Sequence, residues 1–307
     1  PYFQNFVNFL FNMRIALAYI SVILLWATTP LAIKWSGDGP GFIFGAGSRM
    51  AIGACCMLLL LLIRRKRLPS SRKAKQTYLS VAVQMYGAML CVYWGAQFVP
   101  SGWVSVIFGL SPFLSAFFAA IWLKERSLSF GKVCSYFLGL SGLSMMFSSA
   151  LQLNIQAVYG IIGILSAVSL QTACAVWVKR INAKLPATTQ VTGGLVFALP
   201  AYFLTWVIFA DASWPQNLTN INIISIVYLG VIATTIGFVL YYYLLIHLSA
   251  TTVGFIPLIS PVLALYLGHT INNEIITLKI ITGTALILSA LIMHEFFDRF
   301  IRLFKRG

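Results

Sequence analysis

Ser111-Pro112 to Glu125, SPFLSAFFAAIWLKE, returns in paler form as Ser260-Pro261 to Glu274, SPVLALYLGHTINNE, with an offset of 149 residues at both ends. At the same offset Val104 pairs with Val253, Ile107 with Ile256 and Leu114 with Leu263. A Ser-Pro inside an apolar run, closed at a fixed distance by a carboxylate at its polar edge, reads as one membrane unit present twice.

The composition around the repeat agrees. The 307 residues are 60% hydrophobic and 9% charged, with mean hydropathy +0.89, and a surface so composed cannot be wetted. The expected class is all-α integral membrane. Ten apolar runs reach the length of about 20 residues that crosses the hydrocarbon layer. They cover approximately 14–35, 42–63, 76–98, 101–123, 131–150, 155–178, 188–210, 221–246, 250–271 and 279–300. Each run is continuously apolar rather than alternating, which selects helices over barrel strands. Breakers mark the junctions at Gly37-Asp38-Gly39-Pro40, Pro100-Ser101-Gly102, Pro186 and Trp214-Pro215. The expected organisation is leader or appended residues at 1–12, a five-helix repeat over 13–150, a second over 151–300, and a basic cytoplasmic tail at 301–307.

The net charge of +15 resolves into topology. With the N-terminus inside, all of the 21 basic residues except Lys34, Arg49 and Lys279 fall on the cytoplasmic side, as the positive-inside rule demands. Both termini are therefore expected in the cytoplasm of a multi-pass protein of the cell inner (plasma) membrane. The basic runs face anionic lipid, and no nucleic-acid contact is expected. Five spans per half is an odd number, so the second copy is inverted. Inverted repeats place a site near the midplane between the halves and open it alternately to either side. Cys55, Cys56, Cys91, Cys134 and Cys174 all lie in apolar runs without ligand spacing, and neither a metal nor a cofactor is expected.

The segment LLWATTPLAIKW (Leu24 to Trp35) resembles the first-span pattern of the drug/metabolite transporter superfamily, EamA type. Arg49 near the start of the second span, the Ser111-Pro112 to Glu125 segment with Gly139 and Gly142 after it, and the copy at Ser260-Pro261 to Glu274 match the same family. The resemblance runs from about Met13 to Phe300. It implies a ten-helix transporter of small metabolites, often amino acids or related compounds and frequently exported. Two departures fall where substrate is expected. Thr28-Thr29-Pro30 replaces the usual small-residue run after the tryptophan, and Gln171 stands where a second tryptophan is common.

The resemblance also implies a cavity lined by spans one, three, four, six, eight and nine. On these spans the candidate substrate contacts are Trp26, Thr28, Gln84, Tyr86, Tyr93, Trp94, Gln171, Tyr242 and Tyr243, with Thr29, Thr172, Trp177, Thr234, Thr235 and Tyr241 near them. Tyr93 and Tyr242 share the 149-residue offset, which makes them the expected symmetric pair. Pro30, Arg49, Ser111, Pro112, Ser260 and Pro261 are candidate gating or hinge positions, since an intrahelical proline removes a backbone bond and bends the helix. Blander accounts stand beside these. Trp35, Trp103, Trp177 and Trp214 near span ends fit the interfacial belt. Gln84 and Gln171 serve equally as helix-to-helix glue. Arg49 either snorkels to the outer interface or holds a carboxylate or gates the outer mouth.

All six acids, Asp38, Glu125, Asp211, Glu274, Glu295 and Asp298, lie at or beyond span ends. No midplane carboxylate or histidine is placed to carry a coupling ion, so a facilitator or exchanger is expected. Glu125 and Glu274 are expected to cap or to pair locally with Lys124, Arg126 or Lys279. Gly41/Gly45, Gly139/Gly142, Gly160/Gly163 and Gly193-Gly194 permit close helix approach, and homodimerisation is one use of such surfaces. Carboxylate pairs, histidine clusters and nucleophile-base pairs at usable depth are missing, which excludes an enzyme. The expected function is alternating-access transport of a small metabolite, with a zwitterionic or aromatic amino acid or relative foremost. A multidrug or lipophilic-cation exporter and a non-transporting receptor or scaffold are the alternatives.

Overall fold

The computed structural model of the chain describes residues 2–123, 130–248 and 256–304, and among them no residue is in a strand. In chain order the helices are α1 (Tyr2–Gly37), α2 (Phe42–Ile63), α3 (Arg72–Ala96), α4 (Ser101–Trp122) and α5 (Phe130–Leu153). The second half repeats the series with α6 (Ile155–Ile181), α7 (Ala187–Phe209), α8 (Asn220–Val227, Tyr228–Gly237 and Phe238–His247), α9 (Ile256–Asn272) and α10 (Leu278–Phe304). Among the described residues, seven of these ten helices are long and apolar enough to cross a membrane, and α5 and α10 carry shorter apolar stretches at Val133–Ser149 and Leu278–Met293. The backbone of α1 is already helical at Tyr2, so residue 13 marks no break in it. Glu125 and the expected start of the ninth span lie outside the described residues.

Local chemistry sets the ends. Asn154 accepts from the Ala157 amide at 2.8 Å to start α6, and Asn182 at φ 46 closes it in the left-handed conformation that asparagine tolerates. Thr219 and Asn222 form a capping box at the start of α8. Pro100 and Pro186 stand just before α4 and α7, where a helix need not yet receive an amide.

The packing carries a two-fold pattern. The main contacts between halves are α1 with α9, α4 with α6, α2 with α8, α3 with α7, α1 with α8 and α3 with α6. Exchanging the halves maps each of these onto another, while α2–α7, α4–α9 and α5–α10 map onto themselves. Eight helices thus form one interdigitated bundle, and α5 and α10 pair along their lengths beside it. Successive helices joined by short connections alternate in direction, so α4 and α9 cross in opposite senses. Lipid supplies no hydrophobic drive between helices, and close approach takes over that role. At the α5–α10 seam a Cβ on Gly142 would stand 2.6 Å from the Gly283 carbonyl oxygen.

The two Ser-Pro copies differ. In α4 the helix is interrupted at Gly109-Leu110, and Pro112 sits in the first turn of the segment Ser111–Trp122. The break therefore precedes the proline, which occupies a position where its missing amide costs nothing. In α9 the helix continues through the matching Leu258-Ile259 and holds Pro261 inside it.

Candidate functional site

α1 carries Pro30 in its interior, which leaves the Trp26 carbonyl without its i+4 amide. Ser105 of α4 donates its hydroxyl to that carbonyl at 3.4 Å. Thr28 gives its single proton to the Leu24 or Leu25 carbonyl, so the 2.6 Å contact with Tyr228 on α8 has the tyrosine as donor. Thr29 also turns back, onto the Leu25 carbonyl.

α3 and α8 each contain a widened π-helical stretch, Gln84–Ala88 and Tyr228–Gly237. At the 149-residue offset the first falls within the second, so the irregularity belongs to both copies. Such stretches leave carbonyls in need of donors. Tyr202 of α7 donates to the Met85 carbonyl at 2.8 Å, and Thr235 donates to the Gly230 carbonyl at 3.0 Å. The first residue of the α3 stretch, Gln84, is 1% exposed and accepts from the Tyr242 hydroxyl at 3.4 Å. Tyr242 packs edge-on against Tyr241 with centroids 5.7 Å apart, and Tyr241 meets Trp26 at 5.0 Å. Trp26, Gln84, Tyr241 and Tyr242 thus form one polar-aromatic group drawn from α1, α3 and α8, with Gln84 and Tyr242 buried and Trp26 and Tyr241 half-buried. It spans the boundary between the halves.

A second group surrounds Arg49. The residue stands seven positions into α2, about 10 Å from the helix end at 1.5 Å per residue. It is 2% exposed. Its Nε donates to Thr234 Oγ1 at 2.8 Å, whereas Nη1 is buried with no partner. The Tyr93 hydroxyl lies beside the guanidinium and accepts from Ser36 Oγ at 3.2 Å. Tyr86 bonds Thr205 at 2.6 Å and meets the Tyr202 ring edge-on at 5.1 Å, which places it on the α7 side of this group.

Glu274 closes the end of the bundle where α1 ends and α4 begins. Its carboxylate accepts from the Ser101 amide at 2.9 Å, the Gly102 amide at 3.4 Å and Asn272 Nδ2 at 2.9 Å. Lys34 Nζ is 3.9 Å away and donates to the Val99 carbonyl at 3.2 Å. Of the two roles expected, a cap or a local pair with Lys279, the carboxylate takes the cap, on the orphan amides that start α4, and its ion-pair partner is Lys34 of α1. Trp35 donates to Asn272 at 3.2 Å, and Asn222 of α8 donates to the Trp35 and Asp38 carbonyls at 2.7 and 2.8 Å. α1 is gripped from α3–α4, α8 and α9 at once.

Several predicted residues stand elsewhere. Trp94 is 36% exposed, stacks edge-on with Phe98 and lies against Gly163 of α6, away from Gln84 and Tyr242. Tyr243 turns to His247 at 4.1 Å, toward the end of α8. Gln171 is half-buried on α6. Tyr93 and Tyr242, matched by the repeat, serve different groups. Ser111 is half-buried, and Ser260 donates to the Ile256 carbonyl at 3.0 Å inside α9. Ser36, Ser105, Tyr202 and Tyr228 were not singled out by the sequence; Ser105 alone carried a signal, since a freed carbonyl at Trp26 demands a donor. Among the described residues no three His, Cys, Asp or Glu side chains gather as metal ligands.

The model of the EamA-like transporter family matches residues 13–148 and again 158–294. An uncharacterised transporter of Bacillus subtilis (strain 168) is 28% identical over 290 residues, covering 92% of this chain and 97% of that protein. A protein of Streptantibioticus cattleyicolor bearing the name "Probable terminal-alkyne amino-acid exporter" is 25% identical, covering 80% of this chain and 81% of its own. One solved crystal structure superposes with a TM-score of 0.68 at 20% identity, over 93% of this chain and 99% of that one, a likeness of fold.

Proposed function

This chain belongs to the EamA-like transporter family, and on that premise we propose that it moves amino acids or related zwitterionic and aromatic metabolites out of the cell by alternating access. It is a multi-pass membrane transporter of small molecules. The observation that carries the finer reading is the Gln84–Tyr242–Tyr241–Trp26 group. A hydrogen-bonding amide and hydroxyl set among aromatic faces, at the seam of two repeats, fits a solute with one polar end and an apolar body. The name of the Streptantibioticus relative supports amino-acid export. The positions of the six acids support a facilitator or exchanger. The basic residues support the inner (plasma) membrane with both termini cytoplasmic.

The test is movement of labelled solutes into proteoliposomes, using amino acids, nucleotide-like metabolites and lipophilic cations, with and without a pH gradient. Saturable amino-acid uptake without a gradient is the expected outcome. Uptake only under a gradient overturns the facilitator, uptake of lipophilic cations alone replaces the substrate class, and no uptake by folded, inserted protein ends the reading.

A further inference from the structure

We infer that the Arg49 guanidinium is the receptor for the carboxylate of the transported solute, an assignment that rests on the transporter reading above. A guanidinium keeps its charge in any protein setting, so burial does not neutralise it. Here it is 2% exposed, and no described carboxylate pairs with it. Asp38 and Asp211 are exposed, and Glu274 is engaged with α4 and Lys34. A buried charge left without a counter-ion is strongly unfavourable, and a guanidinium, which cannot shed its proton, is relieved when an anion pairs with it.

The surroundings suit a carboxylate. The planar guanidinium offers donors in a fork, and one edge is already fixed by the Nε bond to Thr234 at 2.8 Å. Nη1 has no partner and is the donor left for a ligand oxygen. The Tyr93 hydroxyl, whose oxygen accepts from Ser36 at 3.2 Å, keeps its own proton as a further donor beside it. Thr234 lies in the widened stretch of α8, and Tyr242 follows on the same helix, so the anion receptor and the polar-aromatic group share one scaffold. A solute that is anionic at one end and apolar at the other is matched at both. A lipophilic cation meets a buried like charge, which disfavours it.

Matched pairs that differ only in the carboxylate test the assignment: tryptophan with tryptamine, phenylalanine with phenethylamine, and leucine with isoamylamine. Each is offered to wild-type proteoliposomes as substrate and as competitor. The acid of at least one pair is expected to be preferred by about 10- to 100-fold, the range of a charge-assisted hydrogen bond. Arg49→Gln brings acid and amine to parity, and Arg49→Lys retains part of the preference. Equal handling of acid and amine by the wild type overturns the assignment and leaves transport standing, as does an Arg49→Gln variant whose preference persists. No movement of any acid or amine overturns the assignment together with the amino-acid reading on which it rests. If Arg49→Gln fails to give a monodisperse protein, the wild-type ratio and Arg49→Lys decide.

Discussion

At the scale of single residues, the hydroxyl of Tyr242 and the hydroxyl of Ser105 do different work. Tyr242→Phe leaves Gln84 Oε1 without its donor and is expected to weaken solute handling about 10-fold. Trp94→Ala, on the surface toward α6, is expected to leave transport unchanged. Uptake by both variants at matched insertion checks the pair, and equal losses would remove Tyr242 from the site. Ser105→Ala strands the Trp26 carbonyl in a low-dielectric interior and should cost about 1–3 kcal/mol, read as a lowered melting temperature. In a Pro30→Ala background the same change should cost less, since the restored amide at 30 can reach that carbonyl. A double-mutant cycle with no coupling sinks this account. Trp26 was picked out in the sequence as a candidate contact on the first span, but that Tyr241 stands against it was not. Arg49 was legible as an oddity, although its partners were not, because Thr234 and Tyr93 come from helices far along the chain.

At the scale of elements, the spans were readable because bilayer thickness fixes their length and composition. The widened stretches in α3 and α8 were not, since Gln84–Ala88 and Tyr228–Gly237 share no residue pattern that sets them apart from ordinary helix. Nor was the break in α4 at Gly109-Leu110, where the Ser-Pro drew attention two residues too late. The seams between helices depend on local clearance. A Cβ on Gly193 would stand 2.1 Å from the Tyr78 ring at the α3–α7 contact, whereas one on Gly47 meets only Tyr202 at 3.8 Å. Gly193→Ala is therefore expected to destabilise by about 1–3 kcal/mol and Gly47→Ala to be tolerated, by thermal denaturation of purified protein in detergent. Equal melting temperatures would mean that Tyr78 moves aside freely.

At the scale of the whole molecule, the Glu274 clasp ties α1, α4 and α9 together at one end of the bundle. Glu274→Gln removes the ion pair with Lys34, and Gly268→Ala places a Cβ against the carboxylate. Either change is expected to loosen that end. A cysteine placed at Ser36, now fully buried, should then react several-fold faster with a membrane-impermeant maleimide added outside. Unchanged labelling in both variants would show that the clasp does not control opening. The duplication was visible in the sequence through one offset, but which helices meet was not, since contacts such as Lys34–Glu274 join positions 240 residues apart. That separation also orders events during synthesis. At about 5–20 residues per second, Lys34 is made roughly 10–50 s before its counter-ion. Until α9 emerges, Lys34 has the Val99 carbonyl but no counter-ion and the first amides of α4 have no carboxylate to meet, so the first half waits in lipid for the second to finish it.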